Sequence, residues 1–390
     1  MAERANITPE VLKWARETAK MTEEVAAQKI NVKTEKIIEW EKGESQPTIN
    51  QAMKLANKYQ RPFALFFLPE APIDFQPLKD FRKKDSFELT TGTVFIIREI
   101  QKKQTWISET IRESEGEKLS FVGKYSIKDK PSKVAQDILA TLSIEPPKYG
   151  DSTPLKKWIE QSEANGIFIS RASFIHSRLK IIKDEIQGFA IADQYAPFVF
   201  INSSDFPAPQ LFTLVHELAH IWTAQTGMSN FIEPEIKDIR KFHPVELFCN
   251  SVAANALMPH SVVSSLPYDT FNSNKNIFAA AKTLGVSSFA LLYRALNLNL
   301  VTQANYKSLK KESDKNYKEF LIRHALQKEK QKNREGGPSP YLMRLNRNGR
   351  LFTQIVLDKY NGGNIPPTLA SSLLNVQTNK FNKLIESMYA

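Results

Sequence analysis

The chain has 390 residues, a formal net charge of +11 and 42% hydrophobic residues, which is material for roughly two to four domains with a substantial core. Its single cysteine excludes an internal disulfide framework and indicates a reducing compartment. Because the sequence has neither an apolar signal region nor a run of about 18 apolar residues, we expect a cytoplasmic protein with no membrane partner.

Residues 1–75 form the first predicted unit, a bundle of short helices. The predicted helices run from Ile7 to Glu17, from Thr22 onwards with a capping-box pattern, from Val32 to Glu41, and from Thr48 to Tyr59. The segment from Trp40 to Thr48 resembles the XRE-type helix-turn-helix of phage repressors. This resemblance implies a recognition helix that begins near Lys33 and Thr34, and we expect Lys33, Thr34 and Lys36 to contact DNA or a partner.

The charge of this bundle leaves its partner open. Residues 1–75 carry equal numbers of basic and acidic side chains, and Glu35, Glu39 and Glu41 lie within the predicted recognition helix. A DNA-binding domain usually has a basic face. The bundle therefore has two interpretations, which are specific DNA binding and the docking of a protein such as another helix-turn-helix protein.

Residues 76–150 are predicted to be a helical connecting region. A long helix is expected from Thr91 to Glu115, and a shorter one from Val134 to Leu142. The pattern then changes to short apolar runs that are typical of strands. The predicted strands are Gly166 to Ser170, Gly188 to Ala192, and Pro197 to Ile201.

A helix is predicted next, over residues 207–225. Asp205 offers a capping oxygen, prolines stand near the first turn, and Gly227 marks the predicted end. Apolar residues at helical spacing place the histidines of this helix beside a buried stripe. A strand next to such a helix is suited to pairing with an extended peptide.

This helix carries an H-E-x-x-H motif formed by His216, Glu217 and His220. Residues four apart lie on one face of a helix, so both imidazoles can bind a single Zn²⁺ ion. Glu217 then stands beside the metal as the candidate general base. That combination predicts the hydrolysis of a peptide bond.

A catalytic zinc ion usually has a third protein ligand. A second helix is predicted from Pro244 to Leu257, and Glu246 lies at the edge of its apolar face, where a carboxylate without a cation is costly. Glu246 is therefore the candidate third ligand. The alternatives are a solvated Glu246 that favours the helix dipole, or Glu233, Glu235 or Asp238 as the ligand.

Several separated blocks between Glu185 and Pro259 resemble the ImmA/IrrE family of metallopeptidases. The blocks are Gly188 to Ala190, Phe200 to Asp205, Phe212 to His220, Glu246 to Ala254, and Leu257 to Pro259. The resemblance implies that residues 151–300 form a zincin-like domain with a small sheet, in which the zinc ligands are His216, His220 and Glu246 and the catalytic residue is Glu217. It also implies cleavage of a DNA-binding repressor, which controls stress, phage or mobile-element genes. The alternative is a helix-turn-helix regulator or antitoxin-like binder that uses the zincin-like domain for sensing or interaction.

Two further features near the motif are less specific. Hydrolysis requires a donor for the developing oxyanion, and Tyr195, His243 and His260 are candidates only because they are close in sequence. Each of them also fits an ordinary place in a turn, before a proline, or in a loop. Cys249 lies on an apolar helical face, where we expect a small buried hydrophobic residue and not a metal ligand.

Residues 301–390 carry almost all of the excess positive charge. This segment contains many lysines and arginines between Lys307 and Arg334, followed by Arg344, Arg347 and Arg350. We predict a basic, mostly helical region whose charged face is either solvated or binds nucleic acid non-specifically, with DNA as an effector. The whole chain is thus predicted to be α+β and mostly helical, with a helix-turn-helix bundle, a central zincin-like domain containing a small sheet, and a basic helical C-terminal region.

Overall fold

The computed structural model describes residues 3–72, 78–80, 89–176, 179–229, 242–332 and 339–389. The chain divides into two compact units. The first unit comprises Met1–Pro77, Phe87–Lys102 and Phe174–Glu185, and the second comprises Leu78–Ser86, Lys103–Ser173 and Ile186–Ala390. The predicted α+β, mostly helical fold class is confirmed. The finer division into four segments stays a prediction.

Helices dominate both units. The described helices are α1 (Pro9–Thr18), α2 (Glu23–Ile30), α3 (Thr34–Glu41), α4 (Ile49–Tyr59), α5 (Thr91–Glu113), α6 (Pro131–Thr141), α7 (Pro154–Ala164), α8 (Pro207–Trp222), α9 (Pro244–Leu257), α10 (His260–Ser264), α11 (Asn274–Leu284), α12 (Ser288–Asn297), α13 (Gln303–Lys332), α14 (Pro340–Asn348), α15 (Arg350–Asn361), α16 (Pro367–Leu374) and α17 (Phe381–Tyr389). The described strands are β1 (Lys79–Asp80), β2 (Phe168–Ala172), β3 (Phe174–His176), β4 (Leu179–Lys180), β5 (Gly188–Ile191), β6 (Phe198–Asn202) and β7 (Gly227–Ser229). No helix within these described residues is long and apolar enough to cross a membrane.

The first unit contains the helical bundle that was predicted for the N-terminal region. A capping box starts α4, because the Thr48 hydroxyl accepts from the Gln51 amide and the Gln51 side chain accepts from the Thr48 amide. The buried Arg16 guanidinium of α1 donates to both carboxylate oxygens of Glu41, at 2.7 and 2.8 Å. This bidentate pair fixes α1 against the end of α3.

The second unit is built around a mixed five-stranded sheet with the order β1-β7-β5-β6-β2. β2 and β6 are parallel, β5 is antiparallel to both β6 and β7, and β1 is parallel to β7. All five residues of β6 are buried, since α8 packs against β5 and β6. Such burial explains why the first four residues of β6 are a continuous apolar run and not an alternating one.

Helices of the C-terminal region cover the outer strand of this sheet. The Ser170 hydroxyl on β2 donates to the Arg347 carbonyl at 2.6 Å, and Glu163 of α7 accepts from the Leu351 amide at 3.2 Å. Gly349, between α14 and α15, adopts φ +84°, and a Cβ there would lie 2.5 Å from the Ile169 carbonyl oxygen. Only glycine fits this approach, which protects an edge strand from pairing with another chain.

Several predicted boundaries require correction. The motif helix α8 begins after Phe206, which is its N-cap residue in place of Asp205, because Pro207 occupies the first helical position. It ends at Trp222, since Ala224 adopts φ +51°, and Gly227 opens β7 instead of ending the helix. The strand predicted at Gly166 lies two residues later, at Phe168.

Candidate metal centre

The site is built by two packed helices, α8 and α9. The buried side of α8 anchors it in the core of the second unit through Leu211, Leu214, Val215 and Leu218. With the helix fixed in this way, His216 and His220 lie one turn apart on the side that meets α9. Glu246, in the first turn of α9, reaches both imidazole rings.

Three ligand-type side chains converge at this point. Nε2 of His220 lies 3.1 Å from Nε2 of His216 and 3.1 Å from Oε1 of Glu246. Nε2 of His216 lies 3.3 Å from Oε2 of Glu246. Ligands about 2.0 Å from a tetrahedral zinc ion stand roughly 3.3 Å from one another, so these separations suit one shared ion. His216, His220 and Glu246 are only 4%, 0% and 1% exposed.

A hydrogen bond from the ring nitrogen that faces away from the cluster fixes the orientation of His216. Nδ1 of His216 lies 2.9 Å from Oδ1 of Asn250, which is four residues after Glu246 on α9. Because an amide oxygen only accepts, Nδ1 carries a proton, and in the neutral ring the lone pair of Nε2 is directed at the cluster. Asn250 therefore selects the tautomer that binds a metal.

The buried side chains of this cluster change one another's pKa values. Burial alone would lower the pKa of His216, but the Glu246 carboxylate more than offsets it and the pKa rises to about 8. Burial alone would raise the pKa of Glu246, and His216 outweighs it, so that the pKa falls to about 2. Burial lowers the pKa of His220. Glu246 is therefore ionised at neutral pH, which is the state in which a carboxylate can bind a divalent cation.

Glu217 lies on the same helix, between the two histidines, and is fully buried. Its Oε1 accepts a hydrogen bond from the Ser229 hydroxyl. Among the described residues, its Oε2 has no hydrogen-bond partner. Burial raises the pKa of Glu217 to about 8. A carboxyl group with a raised pKa and one open oxygen is suited to exchanging a proton near neutral pH.

The three predicted oxyanion donors lie in a turn, at the N-cap of a helix and at the first residue of another helix. Tyr195 is in the turn between β5 and β6, with its ring 4.8 Å from the Arg112 guanidinium. His243 is the N-cap of α9, where its Nδ1 accepts from the Val245 amide at 3.3 Å, and His260 is the first residue of α10. Their assignment as oxyanion donors stays a prediction. The alternative ligands Glu233, Glu235 and Asp238 lie outside the described residues.

Cys249 lies within α9 and is fully buried. Burial raises the pKa of its thiol well above the ordinary value, so the sulfur is uncharged. The described group of side chains able to hold a metal ion contains the two histidines and Glu246, without this cysteine. Cys249 thus fits the expected small buried hydrophobic residue.

The structure also brings residues to the site that the sequence analysis did not name. Asn250 could have been found, because it lies one helical turn after Glu246. Ser229 could not, since β7 has only three residues and carries no strand pattern. Gly188 on β5 is the third, because a Cβ there would lie 2.8 Å from Oε1 of Glu217 and 2.6 Å from Cγ2 of Thr213.

The predicted contact residues of the helix-turn-helix lie in the first unit, at the start of α3. Lys33 is the N-cap of α3 and is exposed, and Thr34, the first residue of the helix, is half-buried. Lys36 is exposed and donates to Glu39 at 2.6 Å. Part of the positive charge on this helix is therefore neutralised by its own carboxylate.

Comparison with known proteins agrees with this architecture. No curated protein matches the chain in sequence. Residues 167–296 match the model of the IrrE N-terminal-like domain, which is peptidase M78, and residues 12–66 match a helix-turn-helix model. The first match includes both helices of the candidate metal centre, and the second includes α2 and α3. The chain therefore contains one segment that is similar to a helix-turn-helix domain and another that is similar to the IrrE N-terminal-like peptidase domain.

Proposed function

We propose that this protein is a zinc metalloendopeptidase that cleaves a regulatory protein, a DNA-binding repressor with its own helix-turn-helix domain. Cleavage relieves repression and so controls the expression of stress, phage or mobile-element genes. The observation that carries this proposal is the convergence of His216, His220 and Glu246 beside Glu217 in a peptidase domain.

The donor set suits a catalytic zinc ion. Two imidazole nitrogens and one carboxylate leave a fourth position open, whereas a structural zinc site is closed by four protein ligands. His216, His220 and Glu246 would hold the ion, and Asn250 would keep His216 in the tautomer that binds it. When bound, zinc supplies a Lewis acid that makes a water molecule acidic near neutral pH and polarises the scissile carbonyl.

Glu217 moves the protons of the reaction. Its Oε2 accepts a proton from the attacking water as the new C–O bond forms at the carbonyl carbon. The same oxygen then gives this proton to the amide nitrogen as the C–N bond breaks, which leaves a carboxylic acid and an amine. The second proton of the water passes from the acid to the amine, so the products at neutral pH are a carboxylate and an ammonium group. The carboxyl group returns to its starting state, and the balance needs no other reactant.

We infer that the helix-turn-helix domain selects the partner. Its charge is balanced, and Lys36 is already paired with Glu39, which favours docking of a protein through Lys33, Thr34 and Lys36 over strong binding to phosphates. A gel-shift series with DNA at increasing salt tests this. Retention of DNA binding at low salt with a steep salt dependence would instead support a DNA-binding role.

The test of the activity uses the regulators encoded beside the gene. Each purified DNA-binding protein is incubated with wild type or with Glu217→Gln, and fragments are identified by mass spectrometry. We expect one regulator to be cut at a defined bond by the wild type and to stay intact with Glu217→Gln. Equal fragments from both proteins would contradict the assigned role of Glu217.

A second candidate function is a helix-turn-helix regulator or antitoxin-like binder that uses the zinc domain for sensing. The burial of the site favours it, since none of the ligands nor Glu217 is more than 4% exposed. In that case Glu217→Gln would leave partner binding and gene control unchanged. Loss of gene control in this variant, with partner binding retained, would support the peptidase.

A further inference from the structure

Ser229, the last residue of β7, occupies a fixed position beside Glu217. β7 pairs with β5, and the register places Ser229 directly opposite Gly188. β1 pairs with the other side of β7, so the strand is held on both sides. Ser229 is 3% exposed, and its hydroxyl donates to Oε1 of Glu217. The sheet, and not a loop, therefore sets the position of this donor.

Gly188 lies next to the same oxygen atom, Oε1 of Glu217. A Cβ at this position would lie 2.8 Å from Oε1 of Glu217, closer than a carbon and an oxygen approach without displacement. The carboxylate thus occupies space that any other residue would fill. Ser229 supplies the hydrogen bond and Gly188 supplies the room, and both define the same orientation of Glu217.

The two oxygens of this carboxylate differ in their surroundings. Oε1 has a hydroxyl donor, whereas Oε2 is buried and has no hydrogen-bond partner among the residues that the structure describes. A buried carboxylate oxygen without a donor is costly. Oε2 is therefore the oxygen of Glu217 that is left open to exchange a proton.

We propose that Ser229 is a positioning residue, which holds Oε1 of Glu217 so that Oε2 is presented to the attacking water. This inference rests on the proposed peptidase function. The hydroxyl of Ser229 bonds Oε1 of Glu217, which is not the oxygen proposed to exchange the proton. It acts by restricting the carboxylate to the orientation in which proton transfer occurs.

The test compares Ser229→Ala with Ser170→Ala as a matched control. Ser170 is also a buried serine on a strand of the same sheet, but its hydroxyl donates to the Arg347 carbonyl, away from the metal centre. With the regulator that the wild type cleaves as the probe, we expect kcat of Ser229→Ala to fall about 10- to 100-fold, as for loss of a hydrogen bond to a charged group. KM and the zinc bound per chain are expected to stay at the wild-type values, and Ser170→Ala is expected to keep the wild-type kcat.

A second measurement needs neither zinc nor a substrate. In metal-free protein labelled with ¹³C at the glutamate carboxyl carbons, the Glu217 signal is identified by its absence from the spectrum of Glu217→Gln. We expect this signal to move in Ser229→Ala and to stay in place in Ser170→Ala. Ser229→Thr, which keeps the hydroxyl and suits a strand, is expected to restore both the signal and most of kcat.

The outcomes separate this inference from the proposed function. If the wild type cleaves its regulator and Ser229→Ala does so at an equal or higher rate, Ser229 does not position the base. A higher rate would mean that the Ser229 hydroxyl slows the reaction by restraining Glu217. An unmoved Glu217 signal would overturn the inference as well. If wild-type protein loaded with zinc cleaves no regulator, the peptidase proposal itself fails, and the positioning role fails with it.

Discussion

Glu163 of α7 gives a quantitative test of how the C-terminal helices pack on the second unit. Its side chain is 9% exposed, and Oε1 accepts from the Leu351 amide in the first turn of α15. Burial raises the pKa of this carboxyl from 4.5 to about 7, which is more than its backbone hydrogen bonds to Leu351 and Arg350 can offset. The folded protein therefore prefers the neutral form of Glu163.

The sign and size of the effect follow from this shift in pKa. A carboxyl whose folded pKa is raised contributes its full stability below the unfolded pKa of 4.5 and loses it as the pH rises through about 7. Each pKa unit corresponds to about 1.4 kcal/mol, so the loss is about 3 kcal/mol. Glu163→Gln removes the charge and keeps an oxygen that can accept from Leu351. The free energy of unfolding of Glu163→Gln minus that of the wild type should therefore be about 3 kcal/mol larger at pH 8 than at pH 4.5.

Urea unfolding of both proteins between pH 4.5 and pH 8 measures this difference in the free energy of unfolding. Glu160→Gln is the matched control, because Glu160 is on the same helix, is exposed and forms a 3.7 Å ion pair with Lys156. We expect it to change stability by under about 1 kcal/mol. If the wild type and Glu163→Gln show parallel pH profiles, the reasoning about the buried carboxyl is wrong.

Three further variants test the site and the basic region. Asn250→Ala removes the acceptor that fixes a ligand imidazole, and we expect zinc affinity to fall about 10- to 100-fold in a competition titration, with unchanged affinity contradicting this role of Asn250. Gly188→Ala should lower kcat without loss of bound zinc, because its Cβ would displace the Glu217 carboxylate that we propose as the base. A wild-type kcat would show that this carboxylate can move aside without loss of activity. If α13 binds nucleic acid through its exposed face, replacing three of its lysines by glutamine should weaken the salt dependence of binding. The slope of the logarithm of the binding constant against the logarithm of the salt concentration should fall in magnitude by about 3, and an unchanged slope would place the contacts elsewhere. These lysines are Lys311, Lys315 and Lys318.

The parts of the site that follow local periodicity could be predicted from the sequence. His216 and His220 lie on one face because they are four residues apart on a helix, and Glu246 was identified by the cost of burying its charge. The structure brings these three side chains together, while their role as zinc ligands stays a proposal. The helix-turn-helix could be predicted for the same reason, since its helices carry capping and apolar patterns.

The parts that depend on contacts distant in sequence could not be predicted. β7 and β1 are too short to carry a pattern. β7 forms because β5 offers an edge to pair with, and β1 pairs in turn with β7. Ser229 reaches Glu217 through that pairing. The N-cap of α8 was misplaced by one residue because Asp205 is a good capping residue, whereas Pro207 fixed the first turn and made Phe206 the cap.

The most direct test of the central claim is the rate of regulator cleavage as a function of bound zinc, in wild type and in Glu217→Gln. We predict that the wild-type rate rises until one zinc ion is bound per chain and then stays constant. Glu217→Gln should bind the same amount of zinc and cleave at least about 100-fold more slowly. Cleavage that is independent of zinc, or equal in the two proteins, would contradict the account of a zinc peptidase with Glu217 as its base.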